Sequence, residues 1–287
     1  MNLLTPSRPR RVAVALGAAN IAATIAGALG VAALFPHASE WTARLLVLLA
    51  LAAAITVLLA ATGGWRGAGF SARVAQPRLL VVPAAIALAP LIGGVQLPGA
   101  GMLAVFVLGY AVTGFFEEAL FRGLILGVLR RTGVWPAVWI SSALFAAAHL
   151  PNMLFGQPPA ITVAQAVGTF CFGIGYAAVR LRTGSVLPLM VLHFLTDLLL
   201  RIDALPAGAH WAVMVGGDTL LLLYGLVLLR RTGRADGEAT TATPPNQRIR
   251  STAGRHPTPP APYPVDLSSR VHSLRRSPLR TPRRSTP

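Results

Sequence analysis

Long apolar stretches dominate this chain, and each is about as long as a membrane-spanning helix. Such a helix needs about 20 mostly apolar residues to cross the hydrocarbon layer, because each residue rises about 1.5 Å. The runs are continuous rather than alternating, which excludes a closed β-barrel. The third run is the weakest, because Pro83, Pro90 and the pair Gly93-Gly94 would bend or interrupt it. We predict an all-α, polytopic membrane helix bundle with about eight spans, at residues 12–35, 43–62, 79–97, 101–129, 134–150, 160–179, 184–200 and 211–229.

Composition indicates that lipid is the solvent. Hydrophobic residues make up 54% of the 287 residues, and only 12% are charged. A water-soluble domain carries roughly 25% charged residues, so this chain has about half of the usual proportion of charged residues. The single cysteine excludes a disulfide framework and any cysteine-rich zinc or iron–sulfur site.

The arginines are distributed asymmetrically over the predicted loops. All 25 basic residues are Arg, and none is Lys. With eight spans, 22 arginines fall on one side of the membrane, whereas only Arg44 and Arg201 fall on the other, and Arg122 lies inside a span. Because basic loops stay in the cytoplasm, we predict that the N- and C-termini are both cytoplasmic.

The C-terminal segment 231–287 differs from the rest of the chain. It holds eleven Arg and three acidic residues, a net +8 of the total +16, together with ten Pro. A segment with so few apolar clusters cannot offset the entropy of ordering. We therefore predict a disordered cytoplasmic tail that contacts anionic lipid headgroups. The arginine cluster at 275–284 has no interleaved aromatic residues, so nucleic-acid binding is not expected.

Ionisable side chains inside the predicted spans are the candidates for function, because a charge in the bilayer costs several kcal/mol. Seven are the candidates: Glu117, Glu118, Arg122, His149, His193, Asp197 and Asp218. At about 1.5 Å per residue from the cytoplasmic ends, the carboxylates and imidazoles of the fourth, fifth and seventh spans fall at roughly similar depths, 14 to 22 Å. We predict that the first six form one site, whereas we interpret Asp218 as structural.

Helical spacing separates a structural pair from reactive groups. Residues four apart share a helix face, whereas adjacent residues point about 100° apart. Glu118 and Arg122 should therefore form an ion pair, with Glu117 pointing away from it. A free carboxylate beside a neutral imidazole can hold a water molecule and take its proton. His193 and Asp197 share a face and can bind the oxyanion that forms when this water attacks a carbonyl.

A metal centre is the alternative interpretation of these groups. Glu117, His149 and His193 offer the oxygen and nitrogen ligands of a Zn²⁺ site, with one open position for water. Phe145 shares a helix face with His149, and its ring would wall one side of that imidazole.

The candidate residues form three motifs that resemble the signatures of the CAAX-protease and bacteriocin-processing family of intramembrane proteases. This family includes the prenyl-protein endopeptidases. The motifs are Glu-Glu-x-x-x-Arg, Phe-x-x-x-His and His-x-x-x-Asn/Asp, found here as Glu117-Glu118 to Arg122, Phe145 to His149 and His193 to Asp197. Their order, spacing and helix placement match over about 101–201. The resemblance says nothing about the first three spans or the tail. We predict N-terminal transmembrane helices at 1–100, a catalytic core at 101–230 and the tail at 231–287.

The resemblance also implies a role for each motif residue. Glu117 and His149 would activate water, and His193 with Asp197 would stabilise the oxyanion. Glu118, Arg122 and Phe145 would support them. The prenyl-protein endopeptidases have Asn where this chain has Asp197, and an ionised Asp cannot donate a hydrogen bond to an oxyanion. Asp197 is therefore protonated, or orients His193, or helps to bind a metal.

The predicted function is that of an intramembrane endopeptidase acting on a membrane-associated protein or peptide. The Arg-only, Ala-rich composition hints at a GC-rich genome, and hence at a bacterial cell membrane. The polar layer allows a cavity that opens to the cytoplasm. One alternative is a catalytically silent family member that acts as an immunity or scaffold protein. Another is a proton-coupled transporter, which would place the same groups at one depth but predicts an internal repeat that the sequence does not show.

Overall fold

The described part of the chain is a bundle of eight helices. The structure, a computed structural model, describes residues 6–241, with side chains up to residue 230. The helices follow the predicted apolar runs in order: α1 (Pro9–Leu34), α2 (Glu40–Ala61), α3 (Pro77–Gly93), α4 (Ala100–Thr132), α5 (Val134–Phe155), α6 (Pro159–Thr183), α7 (Leu187–Ile202) and α8 (Ala207–Thr241).

Six of these helices are long and apolar enough to cross a membrane. The other two are α3, an apolar helix of 17 residues, and α7, which has 16 residues and carries two of the candidate side chains. The bundle is therefore the predicted all-α membrane architecture, although α3 and α7 are shorter than a complete span.

Local sequence signals account for several helix boundaries. The hydroxyl of Ser39 accepts a hydrogen bond from the backbone N–H of Thr42 and so caps the start of α2. The last turn of α3 is a 3-10 helix that contains Pro90, and the helix ends before Gly94, whose φ of +79° favours glycine. This agrees with the predicted interruption of the third run. Gly133, at φ +97°, separates α4 from α5 in the same way.

α4 changes its helical type beside the candidate residues. It is α-helical over Ala100–Glu117 and π-helical over Glu118–Ile125. All eight residues of the π-helical segment are buried. π-Helical turns are rare and often occur at functional sites. Here the change falls between the two adjacent carboxylates.

Small residues let the helices of the core approach closely. An added Cβ at Gly175 of α6 would lie only 2.7 Å from the carbonyl oxygen of Leu221 in α8. At Gly114 of α4, an added Cβ would lie 2.8 Å from the carbonyl oxygen of Met190 in α7. Such close backbone packing is typical of membrane helices, because van der Waals contact drives their association.

The connections between helices lie at two opposite ends of the bundle. At one end, the α2–α3 connection bonds to the α6–α7 connection through the N–H of Val186 and the carbonyl of Gly69, at 2.9 Å. At the other, the N–H of Gln96 bonds to the carbonyl of Ile202, at 2.6 Å. We call the end with the α2–α3, α4–α5 and α6–α7 connections the arginine-rich end. The end with the other four connections is the arginine-poor end.

The predicted tail begins inside the last helix. α8 continues to Thr241, so residues 231–241 are helical. The rest of the segment predicted to be disordered, 242–287, lies outside the described residues.

Candidate active site

Side chains from three helices meet beside the π-helical segment of α4. Glu117 of α4 lies with Oε1 at 3.9 Å from Nε2 of His149 in α5. Its Oε2 lies 3.6 Å from Nε2 of His193 in α7. Asp197, one turn along α7, places Oδ2 at 3.6 Å from the same Nε2. The structure thus brings together the four residues predicted to do the chemistry.

The predicted ion pair between Glu118 and Arg122 is present. Nη1 of Arg122 lies 3.1 Å from Oε1 of Glu118, and both side chains are almost completely buried. The guanidinium also lies 4.0 Å from the ring centroid of Phe145, which is within range of a cation–π interaction. Phe145 therefore contacts the ion pair as well as the imidazole of His149, against which it was predicted to pack.

Glu118 has a second partner that the sequence did not indicate. Nδ1 of His193 donates a hydrogen bond to Oε1 of Glu118 at 2.9 Å. Helical spacing predicts neighbours on one helix, but this contact joins α4 to α7. No signal within either motif points to it.

The backbone fixes the orientation of His149. Its Nδ1 lies 2.9 Å from the carbonyl oxygen of Phe145. A carbonyl only accepts, so Nδ1 carries the proton and Nε2 of the neutral ring has a free lone pair. That lone pair lies on the side of Glu117. The rings of Phe145 and His149 meet edge to face, with centroids 4.9 Å apart, as their shared helix face predicted.

Comparison with known protein families assigns this region. Residues 98–199 match the family model described as Type II CAAX prenyl endopeptidase Rce1-like. This segment is therefore similar to the Rce1-like family, and we call it the Rce1-like domain. It contains all three motifs, and it confirms the family predicted from them. The chain has no significant match among curated proteins or solved structures.

A cavity of about 390 Å³ adjoins the motif residues of the Rce1-like domain. Glu117, His149, His193 and Asp197 all contribute to its lining. Helices outside the matched segment contribute further polar residues that were not predicted: Asn20, Thr24, Arg44 and Asp218. Asp218 thus lies at the cavity although we interpreted it as structural. Nothing in the sequence around the α1 and α2 residues distinguishes them, because their place in the cavity depends on how α1 and α2 pack against the domain.

Two carboxylate oxygens of the Rce1-like site, Oε2 of Glu117 and Oε2 of Glu118, are buried and have no hydrogen-bond partner among the described residues. Buried polar atoms are nearly always paired with protein or water. Of these two residues only Glu117 lines the cavity, so its carboxylate is the one that can accept a hydrogen bond from a water molecule or a substrate there.

The geometry gives no support to the zinc alternative. Among the side chains that the structure describes, those of residues 6–230, no three His, Cys, Asp or Glu are grouped so that they could hold a metal ion. Ligand atoms about 2.0–2.2 Å from a tetrahedral zinc ion lie roughly 3.4 Å apart. Glu117 faces the two imidazoles with two different oxygens, at 3.9 and 3.6 Å, which is somewhat longer than that separation. Zinc binding by Glu117, His149 and His193 therefore stays a prediction.

Proposed function

We propose that the Rce1-like domain is an intramembrane endopeptidase in which Glu117 and His149 activate a water molecule. The observation that carries this proposal is the 3.9 Å separation of Oε1 of Glu117 from Nε2 of His149. The separation is too long for a direct hydrogen bond, and a water molecule can bridge two acceptors at this distance. Both side chains line the cavity, so a bridging water would face an incoming peptide.

The chemistry follows from which atoms can accept protons. Glu117 takes a proton from the water, and the resulting hydroxide forms a bond to the carbonyl carbon of the peptide. The carbonyl electrons move to oxygen and create an oxyanion. When the oxyanion collapses, the C–N bond breaks and the proton held by Glu117 passes to the leaving amine. The water is consumed, and the products are a new carboxylate and a new amine.

His193 is the proposed donor to the oxyanion. Glu118 holds Nδ1, so Nε2 is the atom presented to the cavity. Three carboxylates lie within 4 Å of this ring, those of Glu117, Glu118 and Asp197. This negative surrounding favours an imidazolium, whose Nε2–H can donate to a developing oxyanion.

Asp197 acts in this proposal by orienting His193. Its Oδ2 lies 3.6 Å from Nε2, and its side chain is more exposed than the other acidic groups of the site, at 29%. A carboxylate in this place attracts the imidazolium edge, and it does not need to donate to the oxyanion itself. Of the three roles left open for Asp197, orientation of His193 fits the observed contacts best.

The substrate in this proposal is a membrane-associated protein or peptide. The cavity volume of about 390 Å³ falls in the range of about 300–1,000 Å³ that is usual for ligand sites. Its walls combine aromatic rings with many polar and ionisable side chains, so a bound segment can make both apolar and hydrogen-bonding contacts.

The test compares peptides released from membranes that contain the wild-type protein or the Glu117→Gln variant. New peptide termini should appear with the wild type and disappear with Glu117→Gln, because an amide cannot take the proton. Glu40→Gln is the matched control, since Glu40 is exposed and is not among the residues that line the cavity. If wild type and Glu117→Gln released the same peptides, a silent scaffold or immunity role would replace the enzyme proposal.

A further inference from the structure

The position of the cavity along the bundle shows which side of the membrane it faces. We propose that the active-site cavity opens at the arginine-poor end, on the non-cytoplasmic side of the membrane, and receives its substrate from there. The statement about the substrate rests on the proposed endopeptidase function. The position of the opening does not.

The mouth of the cavity is formed by residues next to the arginine-poor connections. Arg44 is in the second turn of α2, and Trp211 is in the second turn of α8. Gln157 belongs to the α5–α6 connection itself, and Arg201 is the second-last residue of α7. All four line the cavity, so the cavity extends to the arginine-poor end of the bundle.

The floor of the cavity is aromatic and lies toward the arginine-rich end. Phe121, Phe145 and Phe172 all contribute to the lining. The ring centroids of Phe121 and Phe145 are 4.9 Å apart, and those of Phe145 and Phe172 are 6.3 Å apart. None of the lining residues comes from the α2–α3, α4–α5 or α6–α7 connections of the described chain.

The α2–α3 connection covers the bundle behind this floor. The hydroxyl of Ser185 donates to the carbonyl of Ser71 at 2.6 Å, and Ser185 is fully buried. Ala68 is also fully buried. Its carbonyl oxygen would lie 3.1 Å from a Cβ added at Gly123 in the π-helical segment. The arginine-rich end is therefore packed shut directly behind the ion pair of α4.

The arginines identify the sides of the membrane. At the arginine-rich end the connections and the adjoining helix ends carry seven arginines: Arg66, Arg73, Arg78, Arg130, Arg131, Arg180 and Arg182. At the other end the corresponding segments carry only Arg44 and Arg201. All of these connections are short, which is the condition under which basic residues set orientation. The packed end therefore faces the cytoplasm, and the open end faces away from it.

Arg44 and Arg201 themselves have a local role at the mouth. The guanidinium carbon of Arg201 lies 4.7 Å from the ring centroid of Trp41, and that of Arg44 lies 5.7 Å from the same ring. The two arginines at the arginine-poor end thus contact the same aromatic side chain beside the opening. This placement explains their presence at an end where arginine is otherwise absent from the described residues.

The consequence concerns the class of substrate. A peptide bond offered from the cytoplasm would meet the covered end, whereas one offered from the opposite surface would meet the mouth. The cavity in this orientation fits a peptide or protein segment that is exposed at the non-cytoplasmic surface or enters the membrane from that side. The sequence allowed a cytoplasmic opening, and the placement of the lining residues favours the other side.

The test uses single cysteines and needs no enzymatic activity, so its failure is distinguishable from failure of the proposed function. The only native cysteine is first removed by Cys171→Ala. Three matched variants are then made in that background. Ala164→Cys reports on the cavity, Ala204→Cys on the α7–α8 connection at the arginine-poor end, and Ala72→Cys on the α2–α3 connection. Right-side-out and inside-out membrane vesicles are treated with a small, membrane-impermeant methanethiosulfonate that carries a sulfonate group.

We expect Ala164→Cys and Ala204→Cys to react in right-side-out vesicles, and Ala72→Cys to react only in inside-out vesicles. The proposal is overturned if Ala164→Cys reacts from the same side as Ala72→Cys. It is also overturned if Ala164→Cys and Ala204→Cys react only in inside-out vesicles, or if the cavity position reacts from neither side. Gln157→Cys provides a second cavity reporter if Ala164→Cys unfolds at a lower temperature than its parent.

Discussion

His193 is bound through Nδ1 to the carboxylate of Glu118 at 2.9 Å, while its Nε2 faces the carboxylate of Glu117 at 3.6 Å. Two adjacent glutamates thus contact opposite edges of one imidazole. Glu118 also forms the ion pair with Arg122 and is fully buried. The negative charge of Glu118 therefore has two partners, whereas Glu117 is the one of the two glutamates that lines the cavity.

We expect Glu118→Gln to lower the stability of the protein as well as its activity. Removal of the charge leaves the guanidinium of Arg122 buried without its counter-ion, which costs about 3–5 kcal/mol when one partner of a buried pair is lost. Thermal unfolding in detergent measures this effect. Glu117→Gln should unfold near the wild-type temperature, because Oε2 of Glu117 has no hydrogen bond to lose among the described residues.

Glu40→Gln controls for the loss of one negative charge at an exposed position. If Glu118→Gln unfolded at the same temperature as Glu40→Gln, the buried charge of Glu118 would have no structural role.

Activity is expected to persist after metal removal. Glu117 faces the two imidazoles with separate oxygens, at 3.9 and 3.6 Å, and Nδ1 of His193 is engaged by Glu118. The measurement is peptide release by purified protein after dialysis against a chelator, with metal content determined in parallel. Loss of activity that zinc alone restores would favour the zinc alternative.

Much of the bundle could be predicted because lipid imposes a simple rule on sequence. A helix that crosses hydrocarbon must be apolar over most of its length, so the eight apolar runs match the eight helices in order. The ion pair of Glu118 and Arg122 could be predicted for a similarly local reason, since residues four apart on one helix are neighbours. The three motifs carried the family assignment, because their residue types and spacing are specific when taken together.

Contacts between helices could not be predicted in the same way. The hydrogen bond from His193 to Glu118 depends on how α7 packs against α4, and single-helix spacing contains no information about that packing. The same holds for Asn20 and Arg44, which reach the cavity from α1 and α2. The end of α8 was missed for another reason. Hydropathy marks where a helix leaves lipid, but a polar segment such as 231–241 can remain helical beyond that point.

A pair of glycine substitutions tests the packing of α6 on α8. Gly175→Ala should destabilise the protein by about 1–3 kcal/mol, because extra atoms in a packed core force shifts. The added Cβ would lie 2.7 Å from the carbonyl oxygen of Leu221. Because this oxygen belongs to the backbone, it cannot easily move away. Gly109→Ala in α4 is the matched control, since an added Cβ there meets nothing within 4 Å. Alanine also favours a helix over glycine by about 1 kcal/mol. Thermal unfolding should therefore move in opposite directions for the two variants, and equal shifts would contradict the close α6–α8 contact.

Substitutions of Asp197 separate an orienting role from a merely structural one. If Asp197 orients His193 across their 3.6 Å contact, Asp197→Asn should retain activity within about tenfold, because an amide oxygen can still face the imidazole. Asp197→Ala should reduce kcat by about 100-fold, the effect of a misplaced catalytic group, with KM nearly unchanged. Because the side chain is partly exposed, neither change should lower the unfolding temperature appreciably. Equal activity of the Asn and Ala variants would remove the orienting role. Activity in Asp197→Asn but not in the wild type would mean that the natural chain is catalytically silent.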